Sequence, residues 1–300
     1  MEIVQMHYFC MVARHRSMSR AAEDLLVSQS ALSKAIGSLE EELGIKLFDR
    51  VGRRLTLSEA GRVYYERMCN ILLRLNNAQK EMGDRYNHPV NEVRLIISAG
   101  NYIYNWLGEQ YRKVFPDTLL YIRVSYDPDI YEFSQNDFHL FASPYRYTKR
   151  ECLPLMEERL MLAMNQNHPL ASQEEIRLSD TKDYWYQCLQ PKENLRENLN
   201  HYCKQAGFTP KVGFSTNDSY TFFEALSGND HLALLPQRTS PPSTLKNIVL
   251  KPIADPVCTR VLYLGWDKDS YISQCHKEFI SFCQSFFTKE NLELLLRNKQ

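Results

Sequence analysis

Apolar residues along 28–44 recur at Leu32, Ile36, Leu39 and Leu43, at spacings of four, three and four. That period predicts a helix with one buried stripe. Upstream, Val4, Tyr8, Met11 and Val12 share a face of a helix expected over Ile3–Ala13. Ser17 or Ser19 can cap a second, short helix running through Leu25, because a serine oxygen accepts from the free N–H groups of a first turn. Ser28 can cap the third in the same way. Two short helices joined by the tight turn Leu26-Val27 predict a helix-turn-helix, although the turn lacks the usual glycine. Gly44 can end the third helix in a left-handed conformation.

Beyond it, "IKLFDRVGRRLTLSEAG" offers Ile45, Leu47 and Phe48 as core anchors. "RVGRRLTL" reads as a small β-hairpin with Arg50, Arg53 and Arg54 at its tip, so a winged helix-turn-helix is expected. Thr56-Leu57-Ser58-Glu59 has the form of a capping box, with Thr56 bonding the backbone of Glu59. It opens a helix expected to reach about Tyr86. Along that helix Tyr64, Met68, Ile71, Leu75, Ala78 and Met82 alternate by four and three, the seam of a coiled coil. About 30 helical residues span roughly 45 Å, too long for a small domain to cover. A dimerisation helix is therefore expected, with packing on its own chain as the alternative.

From Asn91 the pattern becomes strands alternating with helices. "EVRLIIS", "TLLYIRV", "HLFAS", "ERLMLAM", "WYQCL", "KVGFS", "HLALLP" and "RVLYLGW" read as strands. Helices are expected near 102–115, 194–206, 218–227 and 273–287. Such alternation predicts parallel sheets with crossovers, hence an α/β domain. "NHPVN" at 87–91 is the obvious hinge.

Charge adds little globally, since 36 basic and 36 acidic residues balance, but much locally. The first two turns of the third helix show Gln29, Ser30, Ser33 and Lys34 outward, with Ser38 beyond and the acids Glu40, Glu41 and Glu42 held to the far end. Short polar side chains let a helix approach base edges in a major groove, and its N-terminal N–H groups suit phosphate. Gln29 can bond an adenine edge, and Lys34 a guanine or a phosphate. Arg50, Arg53 and Arg54 on the wing suit phosphate and the negative potential of a narrow minor groove. The 300 residues contain no run of about 18 apolar positions, which predicts no membrane span. An acid at position 2 and polar breaks argue against a signal peptide, so a cytoplasmic location is expected. Eight scattered cysteines without CxxC or Cys/His ligand spacing fit free thiols in a reducing compartment and give no support for a metal site. No nucleophile–base motif or phosphate loop points to an enzyme, and no cofactor is expected.

Residues 17–61, "SMSRAAEDLLVSQSALSKAIGSLEEELGIKLFDRVGRRLTLSEAG", closely resemble the DNA-binding signature of LysR-type bacterial transcriptional regulators. Ala21-Ala22, Leu25, Ser28-Gln29, Leu32-Ser33-Lys34, Ile36, Leu39-Glu40, Leu43-Gly44, Leu47-Phe48, Arg50, Leu55-Thr56 and Gly61 stand at that pattern's offsets. "NHPLA" at 167–171 and "ALSGNDHLALLP" at 225–236 are similar to later elements of the family, while Asp137-Phe138-His139-Leu140 departs from it. The resemblance implies an α+β multidomain protein. Its parts would be a winged helix-turn-helix head (1–60), a linker and dimerisation helix with hinge (61–88), and a two-lobed α/β, periplasmic-binding-protein-like effector domain (91–300). Lobe I would comprise 91–162 and 268–300, and lobe II 163–267. Implied partners are double-stranded DNA, a small-molecule effector and further copies of the chain in a dimer or tetramer, with RNA polymerase a further candidate. By analogy the effector site would draw on Ser98, Gly100, Asn101 and Tyr102 on one wall and Gln190, Thr216 and Asn217 on the other. Lys192, Arg146 or Arg238 could pair a carboxylate ligand. His168 is expected to be a hinge residue rather than a ligand. Two alternatives remain: a redox input through Cys188 and Cys203, and a solute-binding module that does not bind DNA.

Overall fold

A computed structural model describes residues 2–51, 54–86, 91–99, 103–125, 138–144, 151–189, 194–216, 218–240 and 246–288. It divides into two compact units. One holds the described residues up to Tyr86 with Asp269–Ser273; the other holds the rest from Asn91 onward.

In the first unit, α1 (Ile3–His15), α2 (Met18–Asp24) and α3 (Gln29–Leu43) precede a hairpin of β1 (Phe48–Val51) and β2 (Arg54–Leu57), and α4 (Glu59–Arg85) follows. The Ser17 oxygen accepts from the Arg20 N–H and the Ser28 oxygen from the Ala31 N–H, so serines start α2 and α3. Gly44 ends α3 at φ 67°, where a side chain would be strained. Phe9 is the centre of the core. It is fully buried and its ring meets those of Phe48, Tyr64 and Tyr65 at 5.2–6.0 Å. The buried face of α1 is consequently Met6, Phe9, Cys10, Val12 and Ala13. Val4, expected inside, is exposed, and Tyr8 and Met11 lie at the core's margin, because α1 is packed between the other helices along the Phe9 side. Ile45 is also exposed, since it follows the left-handed Gly44 and only Leu47 turns fully inward.

The start of α4 differs from expectation. Thr56 lies in β2 opposite Asp49, in extended backbone, and its hydroxyl donates to the Asp49 carbonyl. Ser58 is the cap: its oxygen accepts from the Gly61 N–H at 2.9 Å and donates to the Lys46 carbonyl at 2.7 Å. A Cβ at Gly61 would lie 2.0 Å from the Leu47 carbonyl oxygen, so α4 can dock this closely only through a glycine.

The second unit is a mixed rather than a wholly parallel α/β fold. β3 (Glu92–Ile97) pairs in parallel with β4 (Leu119–Val124) and β5 (Phe138–Ser143). β6 (Glu151–Asn165), far longer than the expected strand, runs antiparallel to β11 (Thr259–Trp266) at its start. At its end it runs antiparallel to β9 (Ala233–Pro236) and β10 (Ile248–Lys251). β7 (Trp185–Leu189) and β8 (Lys211–Thr216) form a parallel pair. α5 (Ile103–Val114), α6 (Asn194–Gln205), α7 (Ser219–Gly228) and α8 (Gln274–Phe286) pack on these strands. β10, which no periodicity flagged, is a short edge strand with only Ile248 buried. Two cores result. One is built around Val93, Leu95, Ile97, Leu140 and Phe279, the other around Leu160, Leu162, Tyr186, Leu199 and Leu234. β6 passes through both. Leu262 and Leu264 of β11, assigned from sequence to lobe II, lie in the first core.

Where the two cores meet, Glu158 on β6 and Arg260 on β11 form a buried ion pair at 2.8 Å, with side chains 0% and 2% exposed. Arg260 also donates to the Thr239 hydroxyl, and Glu158 accepts from that hydroxyl and from the backbone N–H groups of Arg238 and Thr239. The network fills the acceptors of the carboxylate, as a buried charge requires.

Candidate nucleic-acid interface and ligand site

The interface is built outward from α3. Leu32, Ile36 and Leu39 anchor it to the head. Gln29, Ser30, Ser33, Lys34 and Ser38 are consequently exposed, as is the capping residue Ser28. The Ser28 and Ser30 hydroxyls lie 3.1 Å apart, and Ser19 on α2 donates to Gln29 Oε1, which holds the amide at the tip of the helix. The positive end of the helix dipole and the Lys34 ammonium therefore lie on the part of α3 up to Ser38, which contains no acid.

The turn before α3 shows how it manages without glycine. Leu26 itself adopts φ 54°, a left-handed conformation that is costly for a side chain branching beyond Cβ, and lies 93% exposed.

Glu40 has a role that charge patterning missed. It is buried, not part of a solvated acidic end. Its Oε1 accepts from the Leu47 N–H at 2.9 Å and the Phe48 N–H at 3.3 Å, and its Oε2 pairs with Lys46 at 2.6 Å. It ties the last turn of α3 to the first residue of the hairpin, and so fixes the wing to the helix. The signal was an acid on the buried side of the helical wheel, adjacent to Leu39. Glu41 and Glu42 are exposed as expected. The hairpin register runs from Phe48↔Leu57 to Val51↔Arg54. Arg53 lies outside the described residues; Arg50 and Arg54 are described as backbone in β1 and β2.

The expected seam of α4 divides. Met68 is buried in the head's own core and Tyr64 packs against it, whereas Ile71, Leu75 and Met82 stand exposed at 46%, 37% and 46%. Farther along, Asn77 donates to the Asp269 carbonyl and accepts from the Tyr271 N–H, and the Tyr271 hydroxyl donates to Asp84.

In the second unit Ser98 follows the C-terminal end of β3, and its hydroxyl lies 2.8 Å from His139 Nε2 on β5. Thr216 ends β8 and accepts from the Asp218 N–H, while Asp218 caps α7 through the Thr221 N–H. The Thr221 bonds hold the Asp218 carboxyl below its usual pKa. Strand ends followed by helix starts are where open α/β sheets bind ligands. Gly100, Asn101, Tyr102, Gln190 and Asn217 lie outside the described residues, as do Lys192 and Arg146. Arg238 is engaged through its backbone at Glu158. Gln187, which sequence did not single out, is buried on β7, donating to the Phe222 carbonyl and accepting from Asn229. His168 caps the short turn Pro169–Ser172 through Nδ1, and burial lowers its pKa.

The thiols named for a redox input are both buried. The Cys188 sulfur accepts from Arg196 at 2.6 Å. Burial pushes Cys203 up to about 12 and its neighbour Cys258 likewise, so both stay protonated at neutral pH. None of the eight cysteines is joined in a disulfide in this structure. Among the described residues no cluster of His, Cys, Asp and Glu could hold a metal, and no helix is long and apolar enough to cross a membrane.

A winged helix-turn-helix followed by a long helix and a mixed α/β unit defines a class of bacterial regulator. Residues 3–62 match the family model described as "Bacterial regulatory helix-turn-helix protein, lysR family", and residues 89–288 match "LysR substrate binding domain". The chain belongs to the LysR family of DNA-binding transcriptional regulators, with an effector-binding domain after the head. It is 28% identical to the transcriptional dual regulator GltC of Bacillus subtilis over 296 residues, covering 96% of this chain and 98% of that one. It is 24% identical to OxyR of Escherichia coli, with 88% of each chain covered. Among solved structures it matches a full-length OxyR variant from Pseudomonas aeruginosa with a TM-score of 0.64 at 20% identity, covering 96% of this chain and 94% of that one. It matches CbnR in complex with its target DNA with a TM-score of 0.57 at 18% identity, covering 95% and 99%.

Proposed function

We propose that the N-terminal face of α3 reads base edges in the major groove through Gln29, Ser30, Ser33 and Lys34, with Ser28 and Ser38 at its margins. Arg50, Arg53 and Arg54 of the wing contact phosphate and the adjacent minor groove. The observation that carries this reading is the composition of the exposed face from Gln29 to Ser38: Gln29, Ser30, Ser33, Lys34 and Ser38 and no acid, on a helix whose other side is locked into the head. Ile71, Leu75 and Met82, exposed apolar residues on one long helix, join α4 to its counterpart in a second copy. A small molecule binds at the strand ends marked by Ser98 and Thr216, with Gly100, Asn101, Tyr102, Gln190 and Asn217 as neighbours, and shifts operator binding. The division into head (1–60), linker helix and hinge (61–88) and effector domain (91–300) follows the same reading. The protein acts in the cytoplasm, without catalysis, and RNA polymerase is its further contact at promoters.

Lys34→Ala tests the interface. Gel shifts on a duplex selected by the wild-type protein should show affinity lower by about tenfold, and a slope of log affinity against log salt smaller by about 1. Wild-type affinity and slope would remove Lys34 from the interface. A thermal-shift screen of small metabolites tests the effector site: a ligand that stabilises wild type and loses its shift in Ser98→Ala supports it.

A further inference from the structure

Cys10 on α1 and Cys69 on α4 face each other across the head core, Sγ to Sγ at 3.7 Å. They are 59 positions apart in sequence and sit on helices whose packing is fixed by Phe9, Tyr65 and Met68. A disulfide needs about 2.05 Å between sulfurs. At 3.7 Å the two sulfurs are in contact, and bonding requires them to close the remaining gap. Cys10 is buried at 7% exposure and Cys69 is half-buried, so Cys69 is the more accessible residue of the pair.

We propose that Cys10 and Cys69 form a reversible disulfide when the protein meets hydrogen peroxide, and that this modification fixes the exit of α4 against α1. Cys69, the more accessible thiol, loses its proton and attacks one peroxide oxygen. The O–O bond breaks, a sulfenic acid forms, and the departing hydroxide takes up the proton as water. The Cys10 sulfur then attacks Cys69 Sγ. The S–S bond forms, the S–O bond breaks, and the hydroxyl leaves with the Cys10 proton as a second water. Two thiols are oxidised and one peroxide is reduced to two waters. The pair differs from the effector-domain sulfurs, where burial holds Cys203 and Cys258 as thiols. It also differs from a lone surface cysteine, because the resolving sulfur is already in contact. Because Ile71 and Leu75 lie within two turns of Cys69, the cross-link would set the angle between head and seam. That consequence rests on the dimer reading; the cross-link does not.

The test is peptide mapping of the full-length protein after peroxide, with remaining thiols alkylated before digestion. The expected result is a Cys10–Cys69 linked peptide, loss of alkylation at both positions, and recovery of both on reduction. A rise in the melting temperature of the head, absent in Cys69→Ala, should accompany it. Cys10→Ser serves as the reciprocal control, each variant leaving the other thiol alkylatable. Recovery of both cysteines alkylated at peroxide doses that oxidise other thiols of the chain would overturn the proposal. So would a linked peptide seen only after denaturation, or oxidation of Cys69 that stops at sulfinic acid.

Discussion

The head and the effector domain keep polar groups in opposite ways. In the head, the polar side chains of α3 from Gln29 to Ser38 lie on one exposed helix face, and a buried acid, Glu40, organises what supports them. In the effector domain the polar network Glu158–Arg260–Thr239 is wholly interior and lies where β6 and β11 pass between two cores. One unit presents its chemistry; the other encloses it. A face that reads DNA can be assembled from neighbours in sequence. A ligand site at strand ends needs residues brought together from distant segments, and a rigid crossover to hold them.

The largest loss of stability is expected at the crossover. Arg260→Leu leaves Glu158 buried without its cation and should cost about 3–5 kcal/mol. Trp106, Trp185 and Trp266 all lie beyond Asn91, so denaturation followed by tryptophan fluorescence reports this domain alone. A shift below about 1 kcal/mol would mean the pair is dispensable. Next is Gly61→Ala, where a methyl would meet the Leu47 carbonyl; the head should lose about 3 kcal/mol, read by hydrogen exchange in α1 to α4, with tryptophan unfolding unchanged. Glu40→Gln follows. It removes the charge of the carboxylate that accepts from the Leu47 and Phe48 N–H groups, and about 1–3 kcal/mol of head stability should go, together with DNA affinity as the wing loosens. Full affinity with lowered stability would separate wing from reader. The smallest effect is a gain: Leu26→Gly relieves a left-handed residue at the turn and should stabilise the head by less than about 1 kcal/mol in urea melts.

Legibility followed the same divide. α3, its Ser28 cap and its Gly44 stop were readable because local period and capping chemistry agree over fifteen residues. The hairpin was readable from a glycine between two short strands. The α4 cap was misplaced by two residues, since Thr56 and Ser58 carry the same hydroxyl and only the β2 ladder decides between them. Glu40 was misread as solvated because charge patterning cannot see that two backbone N–H groups await it seven and eight residues later. Met68 looked like seam because burial in the head and burial in a dimer leave the same period. In the effector domain most strands were legible, yet their directions were not: β6 and β11 are antiparallel partners separated by nearly one hundred positions, and β10 has too little apolar pattern to register. The ligand site stayed least legible, because polar residues at strand ends also serve as caps, as Thr216 does for Asp218.

The central claim is that the exposed face of α3 selects a base sequence. The most direct measurement is selection from randomised duplexes with full-length wild-type protein and with Gln29→Ala. Gln29 is exposed at the helix tip, so its loss should leave stability unchanged within about 0.5 kcal/mol. Wild type should enrich a common sequence, and the variant should lose preference at one base position, by about 1–3 kcal/mol of discrimination. Enrichment of the same sequence with the same preference at every position would contradict the claim.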